Sequence, residues 1–325
     1  MNSETKEPLV SVIIPCYKMG RFIGEALESV GKQSYLNWEV LAVDDCGPED
    51  GTREAVEGFA ANYPEHRVEY IRHDRNRGVS AARNTGIRAA RGSVVALMDS
   101  DDLWNPDHLA LHMEVFQREG DVVLSYSQAE TTDENGQLLT EPTGFYNFHG
   151  LAGNGIPGKM DDGYFRAMMV WIYVPVSTAC LSREMLLEIG GFQEGMKYQI
   201  EDWVMWARAG KRGAIHFTER PTARYRIHPQ SFSNQQSVAG AIDNHIEFVF
   251  TVGDHEGRSH TLSQAMARIT TRALNFRRGS LALRMKFAAK IFLQSVMRGW
   301  WRQALAAAES WRKFLFPSGM KKTKA

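Results

Sequence analysis

Three aspartates within four positions follow an apolar run in the segment ALMDSDDLWNPDHL, residues 96–109. Like charges at the end of a buried strand repel each other, so this arrangement needs a partner that offsets the repulsion. If the chain stays extended past the apolar run, Asp99 and Asp101 point to one side of the strand and Asp102 to the other. Converging carboxylates are the hard oxygen ligands that Mg²⁺ and Mn²⁺ take. The segment therefore predicts a divalent metal site at Asp101, with Asp99 beside it and the role of Asp102 left open.

A second interpretation is that these acids only cap the following helix. That helix already has a plausible start, because Asn105 is a good N-cap, Pro106 suits the first turn and Asp107 complements the helix dipole. These three residues leave Asp99 and Asp101 unexplained by capping. We therefore favour metal binding.

The elements that position these acids are visible as alternating periodicities. Five short, β-branched-rich runs read as strands that are covered on both faces, at residues 9–14, 38–43, 67–72, 93–98 and 121–126. Helical spacing of apolar residues separates them, which predicts right-handed crossovers and an α/β fold with a mostly parallel, Rossmann-like sheet flanked by helices. Ligands of such sheets lie beyond the carboxyl ends of the strands. Those ends read PCY, DDCG, HDRNRG and DSDD.

The pattern weakens over residues 140–180 and then resumes. YVPVSTACLS resembles a strand, IEDWVMWARAG opens a helix and TARYRIHPQSFS runs from a strand into a loop. Beyond residue 237 the chain reads as helical. We expect a catalytic domain over residues 1–235 and a basic helical C-terminal region over 236–325.

The distribution of charge and cysteine limits the function classes. From Arg258 onward, fifteen Lys and Arg stand against the single acid Glu309, a net charge of +14, so the rest carries −14 in a chain that is neutral overall. No apolar run could span a bilayer and the N-terminus does not resemble a secretory signal, so we expect a cytoplasmic protein. Cys16, Cys46 and Cys180 lack CxxC spacing, which predicts buried thiols rather than a disulfide framework or a zinc site.

Motifs of other nucleotide-binding enzymes are missing. A Rossmann-type oxidoreductase should show GxGxxG after its first strand, where this chain has PCYKMG, and no GxxxxGK[ST] phosphate loop occurs.

Six ordered motifs resemble glycosyltransferase family 2, the inverting nucleotide-sugar transferases with the GT-A fold. They are SVIIPCY, LAVDDCGPEDGT, RNRGVSAARNTGIRAARG, LMDSDD, GGFQE and EDWVMWARAG, and they cover about residues 10–230. The resemblance implies metal-dependent transfer of a sugar from a nucleotide diphosphate, with a UDP-sugar favoured, to a hydroxyl of a glycan or a lipid-linked acceptor. It also implies Mn²⁺ or Mg²⁺ at Asp101, with Asp99 nearby on the ribose of the donor or on the metal. A non-catalytic module that binds sugar nucleotides is harder to dismiss, because it would keep the acidic ligands but would not need a general base.

By the same resemblance, Asp202 is the general base that deprotonates the acceptor hydroxyl, with Glu201 next to it in an unassigned role. Pro15, Tyr17 and Asp45 would form the nucleobase pocket, in which Asp45 accepts from the uracil ring N–H. As bare sequence, without the resemblance, Asp202 is better interpreted as an ordinary acidic helix start, and Asp45 could cap the helix after Pro48.

Two further residues are assigned by resemblance. Arg83 would reach the donor phosphates, if Ser80 caps its helix and places it in the first turn, or it would pair with a nearby aspartate. His228 would be a further metal ligand or a diphosphate contact, or else a surface histidine. The other nine histidines show no ligand spacing that we recognise.

The basic tail predicts a surface for anionic partners. One helical stripe is formed by Trp300, Ala304, Ala307, Ala308, Trp311 and Leu315. It could dock on the catalytic domain, or it could hold the protein peripherally on the inner face of the membrane. No nucleic-acid-binding motif accompanies the charge, so nucleic acid is not expected as a partner.

Overall fold

The computed structural model describes residues 7–139, 174–196 and 200–231, with three isolated positions beyond them. The chain divides into two compact units, Met1–Met160 with Tyr173–Gln235, and Asp161–Ile172 with Gln236–Ala325. Every element named below belongs to the first unit.

Strands and helices alternate through the first 132 residues, as the periodicity predicts, except that two strands precede the fourth helix. The strands are β1 (Val10–Cys16), β2 (Trp38–Asp44), β3 (Val68–Arg72), β4 (Val94–Leu97), β5 (Leu103–Trp104), β6 (Val122–Thr132), β7 (Ala179–Ser182) and β8 (Ala214–Arg226). The helices are α1 (Gly20–Gly31), α2 (Thr52–Asn62), α3 (Val79–Ala89), α4 (His108–Arg118), α5 (Arg183–Glu188) and α6 (Glu201–Ala209), and a 3-10 turn (Val176–Thr178) precedes β7. All five strands predicted in the first 130 residues are present within one or two residues at their starts.

The strands form one sheet in the order β3-β2-β1-β4-β7-β6-β8-β5. The first four are mutually parallel, so the carboxyl ends of β1 to β4 meet at one edge. The α/β fold class is confirmed, but the second half of the sheet is mixed. β7 runs antiparallel to both β4 and β6, β5 runs antiparallel to β8, and β6 and β8 are parallel.

The core lies on both faces of the parallel strands, because their apolar side chains are covered on both sides. Every residue of β2 is buried, and α1 buries the helical stripe of Phe22, Ile23, Ala26, Leu27 and Val30 against the sheet. On the other face α3 approaches β1 closely. A Cβ at Gly86 would lie 2.5 Å from Ile13 Cγ2, so the glycine lets this helix sit near the strand ends.

Two predicted helix starts are wrong. α4 begins at His108 with Asp107 as its N-cap, because the Asn105 amide instead donates to the carbonyl of Pro221 at 3.1 Å. α3 begins after Gly78, which has φ 89°, rather than after Ser80. Arg83 therefore lies in the second turn of α3 and not in the first.

Several expectations fall outside the described residues. They include the assignment of the Gly-rich loop in residues 140–173, the helical character of residues 237–325 and the apolar stripe between Trp300 and Leu315. The division at residue 235 into a catalytic domain and a basic helical region stays a prediction. Within the described part of the chain, no helix has the length and apolar character needed to cross a membrane.

Candidate active site

The acidic loop after β4 is a turn rather than an extension of the strand. Asp102 N–H donates to the Asp99 carbonyl at 3.1 Å, so the chain folds back directly after β4. The prediction that strand alternation makes Asp99 and Asp101 converge is therefore wrong, because the chain is not extended at these residues. The turn instead leaves both side chains partly exposed, 31% for Asp99 and 21% for Asp101, and gives each a different partner.

Asp102 is the structural anchor of this loop. It is 1% exposed, and its carboxylate accepts from Ser177 Oγ at 2.5 Å and from Arg226 N–H at 2.9 Å. Ser177 Oγ in turn accepts from Asp99 N–H at 3.0 Å. Burial, with the charges of Asp101 and Asp99 adding to it, raises the pKa of Asp102 well above its usual range. Asp102 thus fixes the shape of the loop, while the side chains of Asp99 and Asp101 are only partly exposed.

Asp101 is paired with His228, which follows β8. His228 Nε2 lies 2.9 Å from Asp101 Oδ2, and the imidazole is buried against Phe22 with ring centroids 4.6 Å apart. The backbone N–H of His228 donates to Ser231 Oγ at 3.0 Å, which holds the loop after the strand. One carboxylate oxygen and one imidazole nitrogen therefore face each other at the sheet edge, a donor set that suits Mn²⁺ better than Mg²⁺.

Arg83 connects the acidic loop to the start of α6. Its guanidinium is buried at 3% exposure and donates to Asp99 Oδ1 at 2.9 Å and to Glu201 Oε1 at 2.8 Å. This bridge is the ion-pair alternative for Arg83, and the phosphate contact stays a prediction. Burial raises the pKa of Asp99, against the opposing effect of Arg83.

Asp202 stands beside this bridge, in the first turn of α6. It is buried, and its Oδ1 accepts from the backbone N–H of Trp203 at 2.8 Å. Burial, followed by the negative charge of Glu201, raises the pKa of Asp202 from 3.8 to about 8. A carboxyl group with this pKa can exchange a proton near neutral pH, which an ordinary acid in a first helical turn cannot do.

The residues of the expected nucleobase pocket lie at the ends of β1 and β2. Tyr17 is 41% exposed, and Pro15 is half-buried within β1. Asp45 is buried and accepts from the N–H groups of Arg77 at 2.9 Å and Gly78 at 2.6 Å. Asp45 therefore holds the loop that enters α3 and does not cap α2, whose N-cap is Gly51.

Asp45 has a further contact, since its Oδ1 lies 2.7 Å from His73 Nδ1. A carboxylate offers about four acceptor positions, so three hydrogen bonds leave room for one more donor. The assignment of Pro15, Tyr17 and Asp45 to a nucleobase stays a prediction.

Asn84, which follows Arg83 on α3, was not among the residues predicted from the sequence. Its side-chain amide donates to the carbonyl of Phe192 at 2.8 Å and accepts from the N–H of the same residue at 2.7 Å. A Cβ at Gly191, which has φ 73°, would lie 2.3 Å from Asn84 Oδ1, so only glycine fits there. The motifs SAARN and GGFQE are therefore one structural unit. Their order in the sequence could not show this contact.

Arg226 and Ser177 were missed as well. Arg226 is 1% exposed, and its Nε donates to the Asp101 carbonyl at 2.8 Å. Nothing local in the sequence marks either residue, because both act on the acidic loop from distant parts of the chain.

A second group of polar residues lies in the core around α4. His108, His112 and Cys180 are all buried, and their potential ligand atoms lie within 4.8 Å of one another. The expectation that no other histidine has ligand spacing is wrong, because HLALH places two imidazoles four residues apart on one helix. Of the cysteines, Cys16 is also buried, whereas Cys46 is only half-buried.

Comparison with known proteins shows which family the chain resembles. Residues 11–171 match the family described as glycosyl transferase family 2. Glycosyltransferase GlyG of Streptococcus pneumoniae serotype 4 is 32% identical over 129 residues, which are 39% of this chain and 42% of that protein. The chain spans about half or less of the length of such curated relatives.

Two solved structures share the fold. S. aureus TarS 1–349, in complex with UDP-GlcNAc, superposes with a TM-score of 0.62 at 19% identity and covers 94% of this chain and 81% of that one. The mannosyltransferase PcManGT from Pyrobaculum calidifontis, in complex with GDP-Man and Mn²⁺, gives 0.60 at 19% identity, with 97% and 89% covered. At this identity the two structures support the GT-A-type fold and no more.

Proposed function

We propose that this chain, whose residues 11–171 match glycosyl transferase family 2, is a metal-dependent, inverting glycosyltransferase that uses a nucleotide diphosphate sugar. The observation that carries this proposal is the bridge made by Arg83. It joins Asp99, on the loop expected to bind the donor, to Glu201, which adjoins the expected base Asp202. If these two assignments hold, the bridge would keep the donor site and the proton acceptor side by side, as a single displacement step requires.

The metal would be held by Asp101 and His228. Their facing oxygen and nitrogen atoms, 2.9 Å apart, fit the donor preferences of Mn²⁺. When bound, the cation would supply positive charge that stabilises the departing diphosphate. Asp102, Ser177 and Arg226 hold the loop so that Asp101 keeps its position.

Asp202 would accept the proton of the acceptor hydroxyl as that oxygen attacks the anomeric carbon. Attack on the face opposite the leaving group inverts the configuration at that carbon. The raised pKa of Asp202 suits this role, because a base is most effective when its pKa lies near the working pH. Arg83 keeps Glu201 paired and thus limits how far the negative charge beside Asp202 raises its pKa.

We infer a preference for a UDP-sugar from Asp45. A carboxylate only accepts hydrogen bonds, so it suits the ring N–H of uracil and disfavours a base edge that presents an acceptor at that place. Tyr17 is exposed enough to pack on the base. TarS is known with UDP-GlcNAc and PcManGT with GDP-Man, so the family fold accommodates either type of donor.

The acceptor that we propose is a hydroxyl of a glycan or of a lipid-linked glycan. Peripheral attachment through the basic C-terminal region would bring the enzyme to a lipid-linked acceptor at the inner face of the membrane. Deleting the residues after 280 should then lower binding to anionic vesicles. Unchanged binding would remove the membrane part of the proposal and leave the catalytic part intact.

The central experiment is a panel of nucleotide sugars assayed for release of the nucleotide diphosphate. Asp202→Asn should abolish transfer while calorimetry shows almost unchanged affinity for UDP and Mn²⁺. Asp101→Asn should weaken the binding of both together. The matched control is Asp121→Asn, an exposed position on the loop before β6, which should behave as wild type.

Two results would contradict the proposal. Transfer that survives Asp202→Asn would remove this residue as the base. Metal-dependent nucleotide binding without turnover on any donor and acceptor would instead point to a non-catalytic sugar-nucleotide-binding module.

A further inference from the structure

The buried cluster around α4 has the chemistry of a metal site that is separate from the proposed active site. His108 and His112 lie one turn apart on the face of α4 that meets the sheet, and Cys180 lies opposite them on β7. Their exposures are 0%, 0% and 1%. His108 Nε2 is 3.9 Å from Cys180 Sγ. Two imidazoles and one thiol therefore meet where water does not reach.

The rings are oriented so that both Nε2 atoms remain for a ligand. His108 Nδ1 lies 2.7 Å from Thr222 Oγ1, and His112 Nδ1 lies 2.8 Å from Ser125 Oγ. Contacts of this kind at the second ring nitrogen fix the orientation of metal-binding histidines. They also favour a proton on Nδ1 and a lone pair on Nε2.

His112 Nε2 gives the second, independent indication. Within the described part of the chain this buried nitrogen has no hydrogen-bond partner. Buried polar atoms are normally satisfied, and one that is not calls for an explanation such as an ion.

We infer that His108, His112 and Cys180 form a zinc site that ties α4 to β7. Nitrogen and sulfur donors suit Zn²⁺, whereas the Mn²⁺ or Mg²⁺ expected at Asp101 takes oxygen-rich sites. Tetrahedral zinc with ordinary bond lengths places N and S ligands about 3.6 Å apart. The 3.9 Å between His108 Nε2 and Cys180 Sγ is a few tenths longer, which a small side-chain rotation closes.

The location of the cluster indicates a structural role. Cys180 pairs with Ala96 on β4, the strand that leads into the acidic loop. The hydroxyls that orient the histidines belong to Ser125 on β6 and Thr222 on β8. The ion would therefore fasten one helix to the central strands beneath the acidic loop, and coordination would draw the proton from the Cys180 thiol.

The test is metal analysis of the full-length chain expressed with zinc and freed of loosely bound metal. Wild type should retain about one zinc per chain, because buried nitrogen and sulfur donors bind Zn²⁺ tightly. Replacement by Co²⁺ should give a thiolate-to-cobalt charge-transfer absorption. Cys180→Ala should lose both signals, and His112→Gln should lower the zinc content several-fold.

Two controls separate this site from other causes. Cys16→Ala removes another buried thiol and should retain zinc, and Asp101→Asn should retain zinc while it loses transfer. If Cys180→Ala does not fold, zinc-edge X-ray absorption of wild type should still show one sulfur and two imidazole ligands. Zinc-free wild type whose melting temperature is unmoved by added zinc, or bound zinc without a sulfur ligand, would overturn the inference and leave the proposed transferase activity untouched.

Discussion

The pH dependence of transfer should report the ionisation of Asp202. Burial and the charge of Glu201 raise the pKa of this carboxyl group from 3.8 to about 8. A general base works only when it is deprotonated, so activity must rise with pH through that value. The ionised share is about a tenth at pH 7 and about nine-tenths at pH 9, so kcat/KM should increase about tenfold over this range.

The substitution Glu201→Gln should change the pKa of Asp202 while Asp202 itself is unchanged. The glutamine keeps an oxygen that can accept from Arg83, but it removes the neighbouring negative charge and leaves the cation less neutralised. Both changes lower the pKa of Asp202, by an amount on the order of one unit. At pH 7 the ionised share should then rise from about a tenth to about half, while the plateau at high pH falls because a weaker base accepts the proton less readily.

The assay is kcat/KM for transfer across pH 6 to 10 at saturating Mn²⁺, with diphosphate release as the readout. Glu57→Gln is the control, since Glu57 is an exposed helix residue paired with Arg53 and should leave the profile unchanged. A Glu201→Gln variant that loses activity equally at every pH, without moving the rising limb, would refute Asp202 as the titrating base. If kcat/KM of Asp202→Asn rose with pH over the same range as in wild type, Asp202 would likewise be refuted as the titrating base.

The remaining predictions concern the frame of the site. Gly86→Ala should destabilise the fold by about 1–3 kcal/mol in thermal or urea unfolding, because the added methyl group overlaps β1, whereas Gly58→Ala, with open space around it, should not. Asn84→Ala should cost about 1–3 kcal/mol in urea unfolding through its lost contacts with the GGF loop, and an unchanged midpoint would contradict that anchoring role. Ser177→Ala removes one of the two hydrogen-bond donors to Asp102, leaving only the Arg226 N–H, and should weaken Mn²⁺-dependent UDP affinity about tenfold by calorimetry; equal affinity would show that the acidic loop holds its shape without Ser177.

Local sequence patterns were sufficient to predict the helices and strands whose buried residues form regular apolar patterns. The first strands and the stripe on α1 followed from periodicity, because residues covered on both faces leave a signature in the sequence itself. The start of α4 did not follow from the sequence, because Asn105 has the residue type of an N-cap but its side chain makes a hydrogen bond outside the helix. Its amide is taken by a backbone carbonyl of β8, more than a hundred residues later.

The candidate site divides in the same way. The order of the motifs indicated Asp99, Asp101 and Asp202. The residues that they contact could not be predicted, because the tertiary fold brings them together from distant parts of the chain. Strand alternation suggested that two aspartates converge on one point, and the turn sends one to Arg83 and the other to His228. The HLALH spacing could have been noticed, but Cys180 lies 68 residues beyond His112 and joins the cluster only through the order of strands in the sheet.

Asp45 shows that one residue of the candidate site can have a structural role and a recognition role at the same time. Its carboxylate accepts from two backbone N–H groups at the entrance to α3, the helix that carries Arg83. If the remaining acceptor position takes the nucleobase, one side chain both recognises the donor and holds the helix whose arginine joins the acidic loop to the proposed base. Recognition of the base and positioning of the reacting groups would then depend on the same hydrogen bonds, because a shift of Asp45 toward the ligand must move α3 or break its contacts with the loop.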